Sequence, residues 1–270
     1  MYSNLITVCY APGARGHAIG HILELSPSIH SRNSKRDRVQ PDAAGTMHEI
    51  DMRFGIRPGR REQLDIKWFA AANGFRYSLD LDLSDWAVRW QDCMAQVQFS
   101  RSDTALPLLQ GLQTRRVVTA DHLRSLHAQQ LMPGCRTVAV TGDPELALRL
   151  LYAKWELQPP PKWHAWQQHH PNTSMLDLNI AAYDGISVES VTDQRRDLDW
   201  RTSLEKTRRW HDHHRTDPTA FRLDFQSLFD PHSSETVYHD MASALDIEPN
   251  WPAVRDFIAV YNAAQPQHLI

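Results

Sequence analysis

The sequence has little lysine, and its net charge is small. Five of its 29 basic residues are lysines, and the others are arginines. The formal net charge is −3, so a site for an anion must be a local concentration of positive charge and not a global field. Arginine suits planar, bidentate recognition of phosphate or sulfate, although a GC-rich genome raises the arginine content in the same way.

Cysteine and long apolar runs are also scarce. The three cysteines, Cys9, Cys93 and Cys135, show no CxxC spacing, and Cys9 and Cys135 lie in apolar stretches typical of small buried residues. This usage favours a reducing compartment. The opening MYSNLITVCYAPG lacks the basic start and apolar run of a signal peptide, and no run of about 18 apolar residues predicts a membrane span. We therefore expect a cytoplasmic protein that does not use a membrane.

The first residues predict a strand, a glycine-containing turn and a helix. Residues 5–10 are apolar and β-branched, which is typical of a strand buried on both faces. A turn signal follows at residues 11–13. From Gly16 to about residue 25 apolar residues recur at helical spacing, until Ser26 and Pro27 end the pattern.

Strand and helix patterns alternate again later in the chain. We expect strands at 75–83, 116–119, 136–141 and 221–225, and helices at 16–25, 62–72, 85–99, 121–131, 145–155, 200–214, 236–245 and 254–264. This order predicts an α/β fold, a three-layer P-loop-like parallel sheet with helices on both faces. The expectation is a single domain over residues 1–270, with polar insertions at about 31–62 and 159–214 and no internal repeat.

The turn after the first strand is a candidate anion site. A buried strand that feeds a glycine-containing turn and a helix directs backbone N–H groups and the helix dipole at one point. The candidate cofactor-binding residues are Gly13, Ala14, Arg15, Gly16, His17 and Ala18. Arg15 would supply positive charge. The segment lacks the GK[ST] ending of the common P-loop, and a tight turn without a ligand gives the same pattern.

Two further strand ends carry polar residues. Asp121 and His122 follow the strand at 116–119, at the edge where parallel sheets bind ligands, and a histidine there suits a general base. The alternative is that Asp121 caps the next helix and His122 is solvated. Asp143 precedes Pro144, which suits the first helical position, so we expect Asp143 to cap that helix.

The histidine-rich segment 210–215, with His169 and His170 upstream, raises the question of a metal. Histidine and aspartate at these spacings can ligate zinc. No second cluster matches it, so we predict no metal site. A polar face, or basic contacts to an anionic substrate, suits the segment better. Four nearby arginines fit that idea: Arg195, Arg196, Arg208 and Arg209.

Four stretches in order resemble the sulfotransferase superfamily. They are VCYAPGARGHAIGHILELSPSI, VVTADH, RTVAVTGDPELALRLLYAKW and FRLDFQSLFDPHSSETVYHDMASALDIEPN. They look like the strand, phosphosulfate loop and helix, the strand with the catalytic histidine, the elements that bind the 3′-phosphate, and the carboxyl-terminal strand and helix. The resemblance covers about half of the chain. It suggests a divergent member, such as those carried by bacteriophages.

The resemblance implies roles for individual residues. The loop from Gly13 to Ala18 would hold the 5′-phosphosulfate of 3′-phosphoadenosine-5′-phosphosulfate, with Arg15 in place of the loop's usual cation. His122 would be the base that takes a proton from the acceptor hydroxyl. Two positions depart from the family: Gly142 stands where an arginine holds the 3′-phosphate, and Leu150 stands at or near a serine with the same role. Residues 16–18 also lack the family's hydroxyls, so a different donor stays open.

Two alternatives remain. The first is a P-loop kinase for a nucleotide, nucleoside or modified DNA base, using ATP with Mg²⁺ and Asp121 as base or magnesium-linked carboxylate. The second is a non-catalytic binding module on the same fold. The acceptor would be a hydroxyl on a small molecule, a glycan or a nucleic-acid base. The basic stretches 31–36 and 57–61 would suit nucleic-acid phosphates, although the net charge is acidic.

Overall fold

A computed structural model describes residues 3–29, 116–122, 124–131, 133–157, 169 and 172–263. For His17 and Asp121 the description covers the backbone alone. The predicted elements at 62–72, 75–83 and 85–99, the predicted insertion at 31–62, and Cys93 lie outside these ranges.

The described strands form one small parallel sheet. They are β1 (Leu5–Cys9), β2 (Val117–Asp121), β3 (Arg136–Thr141) and β4 (Phe221–Asp224), in the order β2-β1-β3-β4. Cys9 pairs with Asp121 across the first neighbour contact and with Ala139 across the second. The chain is therefore a mixed α/β protein, as its alternating patterns predict.

Eight helices are described. They are α1 (Gly16–Glu24), α2 (Ser125–Leu131), α3 (Pro144–Leu157), α4 (Met175–Asp184), α5 (Asp193–Thr216), α6 (Phe225–Phe229), α7 (Ser234–Ala244) and α8 (Trp251–Ala263), with a short 3-10 helix at Val188–Ser190. None of the helices within the described ranges is both long enough and apolar enough to cross a bilayer.

Strand β1 is central because its whole sequence can be buried. All five of its residues are buried, and it pairs with β2 on one side and β3 on the other. Since all four strands are parallel, their carboxyl ends share one edge of the sheet. Cys9, Asp121, Thr141 and Asp224 end the strands there, so the loop after β1 begins among three other strand ends.

Helix α1 is fixed to the closing helices. Ile19, Ile22 and Leu23 are fully buried in the main core, which the aromatic residues of α7 and α8 complete. Just after the helix ends, Ser26 Oγ donates to the carbonyl of Glu248 at 2.7 Å, and Asn250 Nδ2 donates to the carbonyl of Leu25 at 3.0 Å. These contacts hold the predicted Ser-Pro helix ending against the α7–α8 connection.

Helix α5 buries a polar stripe. Its 24 residues are strongly polar, but Thr207, Trp210, His211 and His214 are buried, at the i, i+3, i+4, i+7 spacing of one helix face. The stretch 159–214, expected to be an insertion of unassigned structure, thus contains α4, the 3-10 helix and most of α5. It contacts β3 through α5.

Two element boundaries differ from the sequence predictions. Strand β2 continues to Asp121 and α2 begins only at Ser125, so Asp121 does not cap that helix. Strand β4 ends at Asp224, and the side chain of Asp224 accepts from the N–H of Gln226 at 2.8 Å. That cap turns Phe225 into the first residue of a helix, where alternation alone predicts strand.

The opposite edge of the sheet carries a charged cluster. Arg116 and Arg136 both reach Asp246 in the turn after α7, with nitrogen–oxygen distances of 2.8 and 3.2 Å to its carboxylate. They also donate to the backbone carbonyls of Asp246 and Leu245. These contacts lower the pKa of the Asp246 carboxyl, first through the hydrogen bond from Arg116. The start of two strands is thereby tied to the closing helices.

Candidate functional site

The turn between β1 and α1 is built on left-handed backbone conformations. Gly13 has φ +87°, and Arg15, the N-cap of α1, has φ +57°. The N–H of Ala14 donates to the carbonyl of Ala11 at 3.0 Å, which closes the turn, and Ile19 N–H donates to Arg15 O at 3.1 Å. The chain thus reverses within a few residues and enters α1 directly.

Gly13 and Gly16 are needed because the turn is packed without space for a side chain. A Cβ at Gly13 would lie 1.8 Å from the carbonyl oxygen of Ala147 in α3, and a Cβ at Gly16 would lie 2.0 Å from the Tyr10 ring. The loop therefore rests directly on the α3 backbone, and the first residue of α1 rests on an aromatic ring.

Two helices begin at this edge, and their N-termini differ in charge and capping. Helix α3 is capped, because Asp143 Oδ1 accepts from the N–H of Glu145 at 2.8 Å, as the sequence predicts. Helix α1 has no side-chain cap and no acidic residue in its first turn. The first amides of an α-helix have no intrahelical acceptor, so the α1 N-terminus attracts an anion more strongly than the α3 N-terminus.

The Arg15 guanidinium lies against three aromatic rings. Its Cζ is 4.7 Å from the Phe229 centroid, 5.6 Å from Tyr261 and 5.9 Å from Phe225. The residue as a whole is half-buried, but Nε is buried, and within the described ranges it has no hydrogen bond and no carboxylate pairs with it. Burial lowers the pKa of Arg15. An arginine nevertheless stays charged, so the site holds a cation without a described counter-ion.

His122 is held by Tyr10, the residue that precedes the loop. Its Nδ1 lies 3.2 Å from the carbonyl oxygen of Tyr10, and the two rings have centroids 4.3 Å apart at an interplanar angle of 50°. A carbonyl only accepts, so Nδ1 is the protonated nitrogen in this bond. In the neutral imidazole Nε2 then carries the lone pair, which is the form a general base needs.

The structure places the predicted site residues at one edge of the sheet. Asp121 pairs with Cys9 at the end of β2, and His122 follows it, next to Tyr10. Arg15 reaches this edge from the other side, where Phe225 begins the helix after β4. Arg15, Asp121 and His122 thus flank the same loop, as the sequence predicts for the ends of parallel strands.

The corner after β3 holds no described group suited to a second phosphate. Gly142 has φ +145°, and a Cβ there would lie 2.5 Å from the Phe225 ring. Its carbonyl accepts from His211 Nδ1 at 2.9 Å and from Arg215 at 3.2 Å. Leu150 is fully buried, and Arg149 pairs with Glu145 at 2.6 Å.

The histidine-rich segment clamps α5 to β3. His211 and His214 donate from Nδ1 to the carbonyls of Gly142 and Val140, at 2.9 and 2.8 Å. Burial lowers the pKa of His211 to about 4, so it is neutral near pH 7. Within the described residues no three His, Cys, Asp or Glu side chains converge as a metal site would require.

The arginines of α5 that the sequence singled out are partly engaged. Arg195 pairs with Asp184 at the end of α4, and Arg196 pairs with Asp177 at 2.6 Å. Arg208 and Arg209 are exposed. The first two arginines therefore join α4 to α5 and do not present free charge to a substrate.

Comparison with known proteins found no matching family model, no similar curated protein and no similar solved structure. The site is therefore interpreted from its own geometry. The residues that sequence reasoning missed are Tyr10, Phe225, Phe229 and Tyr261, which hold Arg15 and His122. One signal was available for Tyr10, since it is the last residue of the apolar run that leads into the loop.

Proposed function

We propose that this chain is a group-transfer enzyme, sulfotransferase-like, that moves a sulfuryl group from a nucleotide donor to an acceptor hydroxyl. The loop from Gly13 to Ala18 would bind the phosphosulfate of the donor. The three-layer P-loop arrangement is part of the proposal. It is supported by the small parallel sheet and by the complete burial of β1.

The observation that carries the proposal is the uncompensated cation beside an uncapped helix. Arg15 lies among aromatic rings without a described carboxylate, at the N-terminus of α1, which has no cap and no acidic first turn. Isolated buried charge is unfavourable, so a bound anion would compensate the guanidinium as well as the helix dipole. A phosphate or sulfate ester is the class of anion that arginine and helix amides bind together.

His122 would act as the base of the reaction. The acceptor oxygen attacks sulfur, a new oxygen–sulfur bond forms, and the bond between sulfur and the bridging phosphate oxygen breaks. The hydroxyl proton passes to Nε2 of His122, whose Nδ1–H stays bonded to the Tyr10 carbonyl. The electron pair of the broken bond leaves on the nucleotide phosphate. Charge there is stabilised by the α1 amides and by Arg15.

A kinase is the second candidate, favoured by the position of Asp121. Asp121 ends β2 and pairs with Cys9, the last residue of the strand that enters the loop. A carboxylate at that point suits a magnesium-linked role or a base in phosphoryl transfer from ATP. The packing at Gly142 and Leu150 also leaves the identity of the donor open, because neither position offers a group for a 3′-phosphate.

A ligand titration tests the proposal. The purified chain is titrated with adenosine 3′,5′-bisphosphate, ATP with Mg²⁺ and ATP without Mg²⁺, by calorimetry and by thermal shift. A ligand at 100 times its Kd stabilises the folded state by about 2.7 kcal/mol. We expect Arg15→Met to lose most of this gain relative to its own unliganded midpoint. The exposed Arg255, paired only with its neighbour Asp256, supplies the control Arg255→Met.

The outcomes separate the candidates. Preference for the bisphosphate, lost in Arg15→Met and kept in Arg255→Met, supports the sulfotransferase-like reading. Preference for magnesium–ATP moves the function to the kinase, and turnover should then depend on Asp121. Undiminished turnover in His122→Ala would remove His122 as the base. Failure of all three ligands to bind would leave the non-catalytic module as the better description.

A further inference from the structure

We infer that Tyr10 is a positioning residue, whose ring fixes the imidazole of His122 and couples it to the first residue of the anion loop. The inference rests on the proposed function for its catalytic meaning. Its structural content, the orientation and tautomer of His122, can be measured without any substrate.

The ring of Tyr10 contacts two functional elements at once. It is 4.3 Å from the His122 ring, and it occupies the space where a Cβ at Gly16 would lie, 2.0 Å from its Cδ1. Tyr10 is buried, with 4% of its surface exposed. A buried aromatic ring with contacts on two sides has little freedom to turn, so it transmits the position of one neighbour to the other.

The backbone of the same residue completes the arrangement. The carbonyl of Tyr10 accepts from Nδ1 of His122 at 3.2 Å. This distance is at the long end for a nitrogen–oxygen hydrogen bond, so the bond depends on the packing that holds the imidazole in line. The ring supplies that packing, and the carbonyl selects the tautomer with the lone pair on Nε2.

The consequence for the proposed reaction is a base whose readiness depends on the loop. Gly16 is the first residue of α1 and belongs to the turn that would hold the donor anion. A shift of Gly16 moves the Tyr10 ring, and a shift of the ring releases the imidazole. Misplacement of a catalytic group by about 1 Å costs up to roughly a hundredfold in rate, so small movements of this ring matter.

The test measures the tautomer of His122 by nitrogen NMR. The protein is labelled with ¹⁵N-histidine, and the His122 signals among its 15 histidines are identified by their loss in His122→Asn. The spectra are recorded at a pH where the ring is neutral, in wild type, Tyr10→Phe, Tyr10→Leu and Gly16→Ala. Circular dichroism and thermal unfolding confirm that each variant is folded.

We expect the Nδ1–H tautomer to dominate in wild type and in Tyr10→Phe, which keeps the ring. In Tyr10→Leu and in Gly16→Ala the Nδ1–H signal should lose its majority to the Nε2–H tautomer. If transfer activity is in hand, kcat should fall about ten- to a hundredfold in Tyr10→Leu and stay near wild type in Tyr10→Phe.

Each result decides the matter. An unchanged tautomer in Tyr10→Leu, or a change in Tyr10→Phe equal to that in Tyr10→Leu, overturns the role of the ring. If Tyr10→Leu does not fold, Gly16→Ala gives the reading, and an unchanged tautomer there overturns the coupling. A tautomer change in a protein whose turnover survives His122→Ala upholds the positioning and refutes the proposed reaction, so the two failures are distinguishable.

Discussion

Replacement of Gly13 by alanine separates backbone strain from close packing at the loop. Gly13 has φ +87°, so alanine there adopts a left-handed conformation that costs about 1–2 kcal/mol. The new methyl would also lie 1.8 Å from the carbonyl oxygen of Ala147. A backbone atom cannot turn away as a side chain does, so the loop or α3 must shift, at about 1–3 kcal/mol. The expected loss for Gly13→Ala is therefore about 2–5 kcal/mol of unfolding free energy.

Gly185 supplies the matched control. It is the C-cap of α4 with φ +66°, and no atom lies within 4 Å of a Cβ placed on it. Gly185→Ala therefore carries the strain of the left-handed conformation without the packing conflict, and should cost about 1 kcal/mol. Both variants are unfolded with urea at pH 7.5 and compared at equal m-values. An equal loss in the two would refute the close contact between the loop and α3.

Two other predictions concern charge. Burial lowers the pKa of both His127 and His211 to about 4, so the folded state binds fewer protons than the unfolded state between about pH 6.5 and 4. Stability should fall as pH falls through that range, by up to about 3 kcal/mol per histidine, and urea unfolding from pH 7.5 to 4.5 in wild type and His211→Gln measures it. At the other edge of the sheet, Asp246→Asn keeps a residue that tolerates φ +51° but removes the charge that faces Arg116 and Arg136. The thermal midpoint should drop in low salt and the drop should shrink in about 1 M NaCl, whereas a drop independent of salt would contradict an electrostatic role.

The opening of the chain was predictable because one segment carries several consistent signals. A β-branched apolar run, a proline and glycine turn and an amphipathic helix follow one another within residues 5–25, and β1, the turn and α1 are found there. Strand β3 and the Asp143 cap of α3 were predictable for the same reason. In each case the local pattern and the tertiary environment favour the same conformation.

Helix α5 shows why other parts were not predictable. Its buried face has helical spacing, but it consists of Thr207, Trp210, His211 and His214, so a search for apolar periodicity does not register it. Those polar groups are buried because carbonyls at the end of β3 accept from both histidines. The acceptors belong to another element, and a sequence pattern does not contain them.

The surroundings of Arg15 had the same difficulty. The sequence suggests a charge that moves with a bound phosphate, whereas the structure packs its guanidinium against rings from α6 and α8. Those rings lie about two hundred residues further along the chain. Long-range packing of this kind depends on the order of strands in the sheet, which local patterns leave undetermined.

The strand order also sets the course of the protein's synthesis. Strand β1 leaves the ribosome first, yet Leu5 pairs with Val117 and Ile6 with Arg136, so its partners emerge more than a hundred residues later. At about 5–20 residues per second the strand stays unpaired for roughly 5–20 s. During that interval a fully apolar segment and the loop that follows it are open to chaperones and to neighbouring chains. The most buried strand of the finished protein is thus the one exposed longest while the protein is being made.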